Sequence, residues 1–243
     1  MSGELVRREE MAELVGQLSE PQVDRRERGR LLVRLSGLLA SGARSAGAGA
    51  TLTGRWLSDV VADAAPYIPI RDLSTLREHS GGLSGEALAA WLVRQAMIAT
   101  SGVGAAGGAL AAVQHAAPPS LIAAPVQLAA ETLAVVAVEV KLVAELHVTF
   151  ACAPQGSASQ LGAAYLAAWA TKQRLDPTAE LPGLEVVIAA AARQQLRRRV
   201  TRRLARNLAT LAPLLAGAVA GAELNRRETR SLGLALIEQL NRS

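Results

Sequence analysis

Seven arginines are concentrated in the segment 192–207, which reads ARQQLRRRVTRRLARN. They are Arg193, Arg197, Arg198, Arg199, Arg202, Arg203 and Arg206. Apolar residues recur every four positions through this segment and one residue beyond it, at Leu196, Val200, Leu204 and Leu208. On a helix this spacing gives a narrow apolar stripe with basic flanks. Such a helix can lie on anionic lipid or bind an acidic protein partner.

The same arginines leave two other interpretations open. They could contact nucleic-acid phosphates, which makes a nucleic-acid-binding protein the first alternative. Aromatic residues form only 2% of the chain, so the stacking platforms that bind single strands would be few. The segment could also be a solvated helix face with its apolar stripe in the core.

Glycines form a literal G-x-G-x-x-G at Gly102, Gly104 and Gly107, and Glu131 follows 24 residues after the last of them. In a dinucleotide-binding fold these glycines surround a pyrophosphate at a strand–turn–helix junction. A nucleotide-dependent enzyme that uses the Gly102-Gly107 segment is therefore the second alternative. The preceding AAWLVRQAMIATS continues a helical pattern, however, and no alternating strand and helix units follow.

Two G-x-x-x-G pairs favour helix packing instead. Gly104 and Gly108 form one pair, and Gly217 and Gly221 form the other. Glycines four residues apart leave a groove on a helix, so a partner backbone can approach closely. In a soluble all-α domain such a pair indicates a tight helix crossing.

Charged residues interrupt the apolar helix predicted over roughly 120–152, namely Glu131, Glu139, Lys141, Glu145 and His147. We expect them to mark the solvent edge or to pair with arginines of a neighbouring helix. Their spacing gives no metal site of the kind found in helix bundles. The three histidines share no spacing and are interpreted as partly exposed. We therefore predict no catalytic residue, no metal and no cofactor.

Composition and charge limit the class of protein. The 243 residues carry a net charge of +5, nearly all of the positive charge being arginine, and a single cysteine, Cys152. This suits a reducing cytoplasm. The uncharged runs 95–130 and 207–222 are interrupted by proline or too short to span a bilayer easily, so core helices are favoured over membrane insertion. The localisation expected is cytoplasmic, with peripheral association at the inner face of the membrane as one interpretation.

Helical spacing throughout, without sustained alternation, predicts an all-α fold: a multi-helix bundle with tight Gly/Ala helix crossings. Three parts are expected. Residues 1–46 would form a charged helical hairpin whose second helix starts at Ser19-Glu20-Pro21, residues 47–54 a flexible linker, and residues 55–243 the main domain. The G-x-x-x-G faces would permit a homo-oligomer without requiring one.

Two stretches resemble the EcsC-like proteins, and are similar to actinomycete-type members. They are SGVGAAGGALAAVQHAAPPSLIAAPVQLAAETLAVVAVEVKLVAELHV and LAPLLAGAVAGAELNRRETRSLGLALIEQL. Gln127, Arg226 and the sequence Phe150-Ala151-Cys152 depart from the family pattern. The resemblance implies an all-α, non-enzymatic protein that works at or near the cytoplasmic membrane. It supplies no catalytic residues. For the end of the chain the resemblance implies a terminal helix hairpin packed through Gly217 and Gly221, with Asn225 at its junction as a cap.

Overall fold

The fold is a bundle of helices, as the sequence predicts. The computed structural model describes residues 2–53, 55–115, 123–172, 175, 194, 198 and 215–242, and no strand occurs among them. The helices of these described ranges are α1 (Ser2–Leu18), α2 (Arg25–Thr53), α3 (Arg55–Ala64), a short 3-10 helix (Ala65–Tyr67), α4 (Leu73–His79), α5 (Gly85–His115), α6 (Ala123–Thr149), α7 (Ala158–Thr171) and α8 (Leu215–Asn241). The all-α fold class is confirmed.

Helix α6 is the centre of the bundle. Every residue from Val126 to His147 is buried except the half-buried Glu131. This follows from a sequence that is apolar around almost the whole helix, since such a helix has no face suited to water. Helices α1 to α5, α7 and α8 all contact it.

The charged N-terminal hairpin consists of α1 and α2. Its second helix begins at Arg25, and not at the expected Ser19-Glu20-Pro21. The Asp24 carboxylate accepts hydrogen bonds from the main-chain N–H groups of Arg26 and Glu27, at 2.7 and 2.9 Å, so Asp24 caps the helix. These bonds also lower the pKa of Asp24.

The expected linker over residues 47–54 differs from the structure, because α2 continues as a helix to Thr53. Alanine favours this continuation, whereas the glycines and threonines of the stretch disfavour it, so helix propensity alone does not explain it. The hairpin also packs on the rest of the bundle, with α2 against both α5 and α6.

Proline and polar caps define the shorter elements. Pro66 and Pro69 lie in and after the 3-10 helix, where α3 cannot continue. Asp72 then caps α4, accepting a 2.8 Å hydrogen bond from the main-chain N–H of Thr75. Helix α7 begins with a capping box between Ser157 and Gln160.

Candidate functional site

The arginine-rich segment lies almost entirely outside the described residues. Among its seven arginines the structure describes Arg198, which is helical and exposed. The positions outside the description are Arg193, Arg197, Arg199, Arg202, Arg203 and Arg206. An exposed helical Arg198 is compatible with both the lipid-binding and the nucleic-acid-binding interpretations.

The G-x-G-x-x-G segment is the interior of α5, without the strand and turn that a dinucleotide site requires. Each glycine allows a different neighbour to approach. A Cβ at Gly102 would lie 2.6 Å from Nε of Arg28, and one at Gly104 would lie 2.6 Å from the carbonyl oxygen of Gly221. At Gly107 a Cβ would overlap the carboxylate of Glu131. These glycines are sites of close packing.

Helices α5 and α8 form the most extensive helix pair of the bundle. They cross where Gly104 meets Gly221, and Asn225 Nδ2 donates a 3.0 Å hydrogen bond to the carbonyl oxygen of Thr100. Asn225 therefore lies in the middle of α8 and is buried. The expectation that Asn225 caps a hairpin junction is wrong. Gly108 follows Gly104 by about one turn in α5, and Gly217 precedes Gly221 by about one turn in α8.

A buried polar network joins α5, α6, α7 and α8. Its centre is the fully buried Glu139, whose Oε2 accepts a 2.7 Å hydrogen bond from Nε1 of Trp169. The Thr229 hydroxyl donates to Oε1 of Glu139 at 3.0 Å and lies 3.0 Å from Oγ1 of Thr100. A buried carboxylate needs such donors to offset its lost hydration. The contacts link residues far apart in sequence and fix the mutual register of four helices.

Two further charged groups of α6 form ion pairs. Arg71 binds Glu145 through two parallel contacts of 2.8 Å, which raise the pKa of Arg71, and its guanidinium carbon lies 5.8 Å from the ring centre of Trp91. Lys141 Nζ lies 3.0 Å from the Glu20 carboxylate. The expectation that these charges mark the solvent edge is wrong, since Lys141 and Glu145 are buried. The alternative, pairing with an arginine, holds for Glu145, although Arg71 lies in the loop before α4 and not on a neighbouring helix.

His147 is fully buried, which corrects the expectation of partial exposure. Its Nδ1 lies 2.7 Å from the carbonyl oxygen of Val143, and its Nε2 lies 3.0 Å from the main-chain nitrogen of Leu175. A carbonyl only accepts and an N–H only donates, so these contacts define a neutral ring with its proton on Nδ1. The ring makes a T-shaped contact with Tyr165, with the ring centroids 5.8 Å apart, and burial raises the pKa of Tyr165. Both ring nitrogens are thus used in structural contacts.

Arg28 is a buried cation bonded to main-chain carbonyls. Its guanidinium donates to the carbonyl oxygen of Leu18 at 2.8 Å and of Ala99 at 3.3 Å, and to three carbonyls of the turn 20–23. Burial lowers its pKa. The carbonyls of residues 15–17 accept main-chain N–H groups of Ser19 and Glu20, and Arg28 supplies a donor to the carbonyl of Leu18, the last residue of α1. Arg28 thereby joins the hairpin turn to α5.

The described residues contain no group of three or more His, Cys, Asp or Glu side chains placed to hold a metal ion. Cys152 is buried, and its thiol lies 3.2 Å from the carbonyl oxygen of Phe150. Among the helices that the structure describes, none combines the length and apolar character needed to cross a membrane.

Comparison with family models, with curated protein sequences and with solved structures finds no match to this chain. The resemblance to the EcsC-like proteins therefore stays a hypothesis that rests on the sequence stretches given above.

Proposed function

We propose that this chain is a non-enzymatic, EcsC-like helical protein that associates peripherally with the inner, anionic face of the cytoplasmic membrane. The observation that carries the proposal is the pattern of segment 192–207, in which seven arginines surround an apolar stripe of four-residue spacing. The apolar stripe would enter the headgroup layer while the guanidinium groups bind lipid phosphates. Arg198, helical and exposed, supports the availability of this surface.

The proposal of a non-enzymatic role is supported by how the buried polar groups are used. Glu139 accepts bonds from Trp169 and Thr229, and Glu145 binds Arg71 through both of its carboxylate oxygens. A general acid or base must reach a substrate proton. Groups that hold helices and loops together in this way serve the fold.

Vesicle flotation tests the proposal. The purified chain would be mixed with vesicles of neutral lipid alone and of neutral lipid with 30 mol% anionic lipid, at low and at high salt. We expect flotation only with anionic vesicles, and its loss at high salt, because salt screens exposed charges. Replacing Arg198, Arg199, Arg202 and Arg203 with Gln should weaken binding by at least about a hundredfold, at about 1 kcal/mol per arginine near the surface.

The matched control replaces four exposed arginines of α2 with Gln, namely Arg25, Arg26, Arg30 and Arg34. It removes the same charge, so equal weakening by both variants would refute a specific role for segment 192–207. Binding to an acidic protein but not to vesicles would identify an adaptor instead. Retention on DNA or RNA with a steep salt dependence, and no flotation, would establish the nucleic-acid alternative.

A further inference from the structure

The outer face of α8 carries a second basic surface, well separated in sequence from segment 192–207. Six residues form it, hereafter the outer stripe: Val219, Glu223, Arg226, Arg227, Arg230 and Leu234. Successive members are one, three or four residues apart, so they lie on one face of the helix. From the first to the last the stripe is about 22 Å long by helical rise. The opposite face of α8, with Asn225 and Thr229, is buried in the bundle.

Arginines outnumber carboxylates on the outer stripe. Arg226 and Arg227 share one acidic partner, Glu223, at 2.8 and 2.6 Å. Hydrogen bonds from these arginines lower the pKa of Glu223 to about 2, so it stays ionised at neutral pH. Arg230 is exposed and forms no ion pair with any described residue. The stripe therefore contains three arginines and one carboxylate, and it keeps a net positive charge.

Exposed aliphatic side chains lie at both ends of this basic surface. Val219 is 72% exposed and Leu234 is 51% exposed. A partner that fits the whole stripe must accept cations in the middle and aliphatic groups at the ends. A nucleic-acid backbone offers phosphates without an aliphatic layer, whereas an anionic bilayer offers both at its headgroup boundary. We propose that the outer stripe is a second contact surface for an anionic lipid membrane.

The inference rests on the proposed function only for the choice of partner, because the residues are different. Its test uses the same flotation assay with three variants of the full chain. Replacing Arg226, Arg227 and Arg230 with Gln should weaken binding by about a hundredfold. Val219→Asp with Leu234→Asp should also weaken it. Glu223→Gln should strengthen binding by about fivefold, because it removes the one carboxylate of the stripe.

The gain expected of Glu223→Gln distinguishes lipid contact from damage to the fold, because an electrostatic gain should disappear at high salt, whereas binding through apolar surface exposed by unfolding should survive it. Exposed aliphatics of the hairpin supply the matched control, Val6→Asp with Val33→Asp, which should leave binding unchanged. Circular dichroism would verify that each variant is folded.

The outcomes separate the two proposals. If the α8 variants bind like the wild type and only the variant in segment 192–207 is weakened, the outer stripe is not a lipid surface and the proposed function stands. If only the α8 variants are affected, segment 192–207 is not the membrane-binding element and the outer stripe is. Equal weakening by the hairpin control would refute the outer stripe as a specific surface, and absence of flotation would refute both proposals.

Discussion

The crossing of α5 and α8 gives a prediction about two glycines that face each other. A Cβ added at Gly104 would lie 2.6 Å from the carbonyl oxygen of Gly221 and 2.7 Å from Nδ2 of Asn225. Ordinary contact begins near 3.4 Å, so the helices would have to separate locally by about 0.8 Å. A Cβ at Gly221 would meet the carbonyl oxygen of Gly104 at 3.2 Å, which a shift of a few tenths of an ångström relieves.

The stability changes follow from these distances. Overpacking costs about 1–3 kcal/mol, and strain on the bond from Asn225 to Thr100 adds about 1 kcal/mol. The higher helix propensity of Ala returns about 1 kcal/mol. We therefore expect Gly104→Ala to lower the free energy of unfolding by about 1–3 kcal/mol, and Gly221→Ala to change it by less than about 1 kcal/mol.

Urea denaturation followed by circular dichroism would measure both changes. Gly37→Ala is the control, because Gly37 lies in α2 with no atom within 4 Å of an added Cβ. It should raise stability by about 0.5–1 kcal/mol through helix propensity alone. The expected order of stability is Gly37→Ala, Gly221→Ala, Gly104→Ala. A Gly104→Ala protein as stable as the Gly37→Ala protein would refute the close crossing.

Three further predictions concern charged side chains. Arg28→Met leaves buried carbonyls without a donor and should lower the free energy of unfolding by about 3 kcal/mol or more, whereas Arg30→Met, at an exposed position, should change it little in the same urea titration. Arg71→Gln leaves the Glu145 carboxylate unpaired at 3% exposure, whereas Glu145→Gln leaves the Arg71 guanidinium unpaired at 19% exposure. Arg71→Gln should therefore lower the stability of the protein more than Glu145→Gln, and the reverse order in thermal melts would contradict this. The Glu223 carboxyl should titrate near pH 2 in NMR and return toward its ordinary 4.5 when both arginine partners become Gln. Because the pKa of Glu223 is lowered in the folded state, the ionised Glu223 carboxylate stabilises the fold above pH 4.5, and this stabilisation is lost as the pH falls toward about 2. A wild-type titration midpoint near pH 4.5 would show that these ion pairs do not form in solution.

The helical class could be predicted because it depends on a local pattern, namely helical spacing of apolar residues without sustained alternation. The sequence predicts the start of α2 too early, because Ser19-Glu20-Pro21 resembles a helix start, whereas Asp24 is the residue that caps the helix. Two possible helix starts lie within a few residues of each other, and the one that is used depends on the tertiary contacts of the turn.

The partners of the buried charges could not be predicted from spacing. Glu139 lies 30 residues from Trp169 and 90 from Thr229, and Arg71 lies 74 from Glu145. One signal was available, namely that α6 is apolar on all sides. Charges within such a helix are buried whichever way it turns, so each needs a partner inside the protein.

The pairing of α5 with α8 also affects the synthesis of the chain. Gly104 precedes Gly221 by 117 residues, so a ribosome that adds 5–20 residues per second completes the second helix roughly 6–23 s after the first. During that interval the face of α5 that α8 will cover is open to solvent. At the crossing that face presents Thr100 and Gly104, which expose less aliphatic area than leucines there would, so this part of the nascent chain is less prone to premature association.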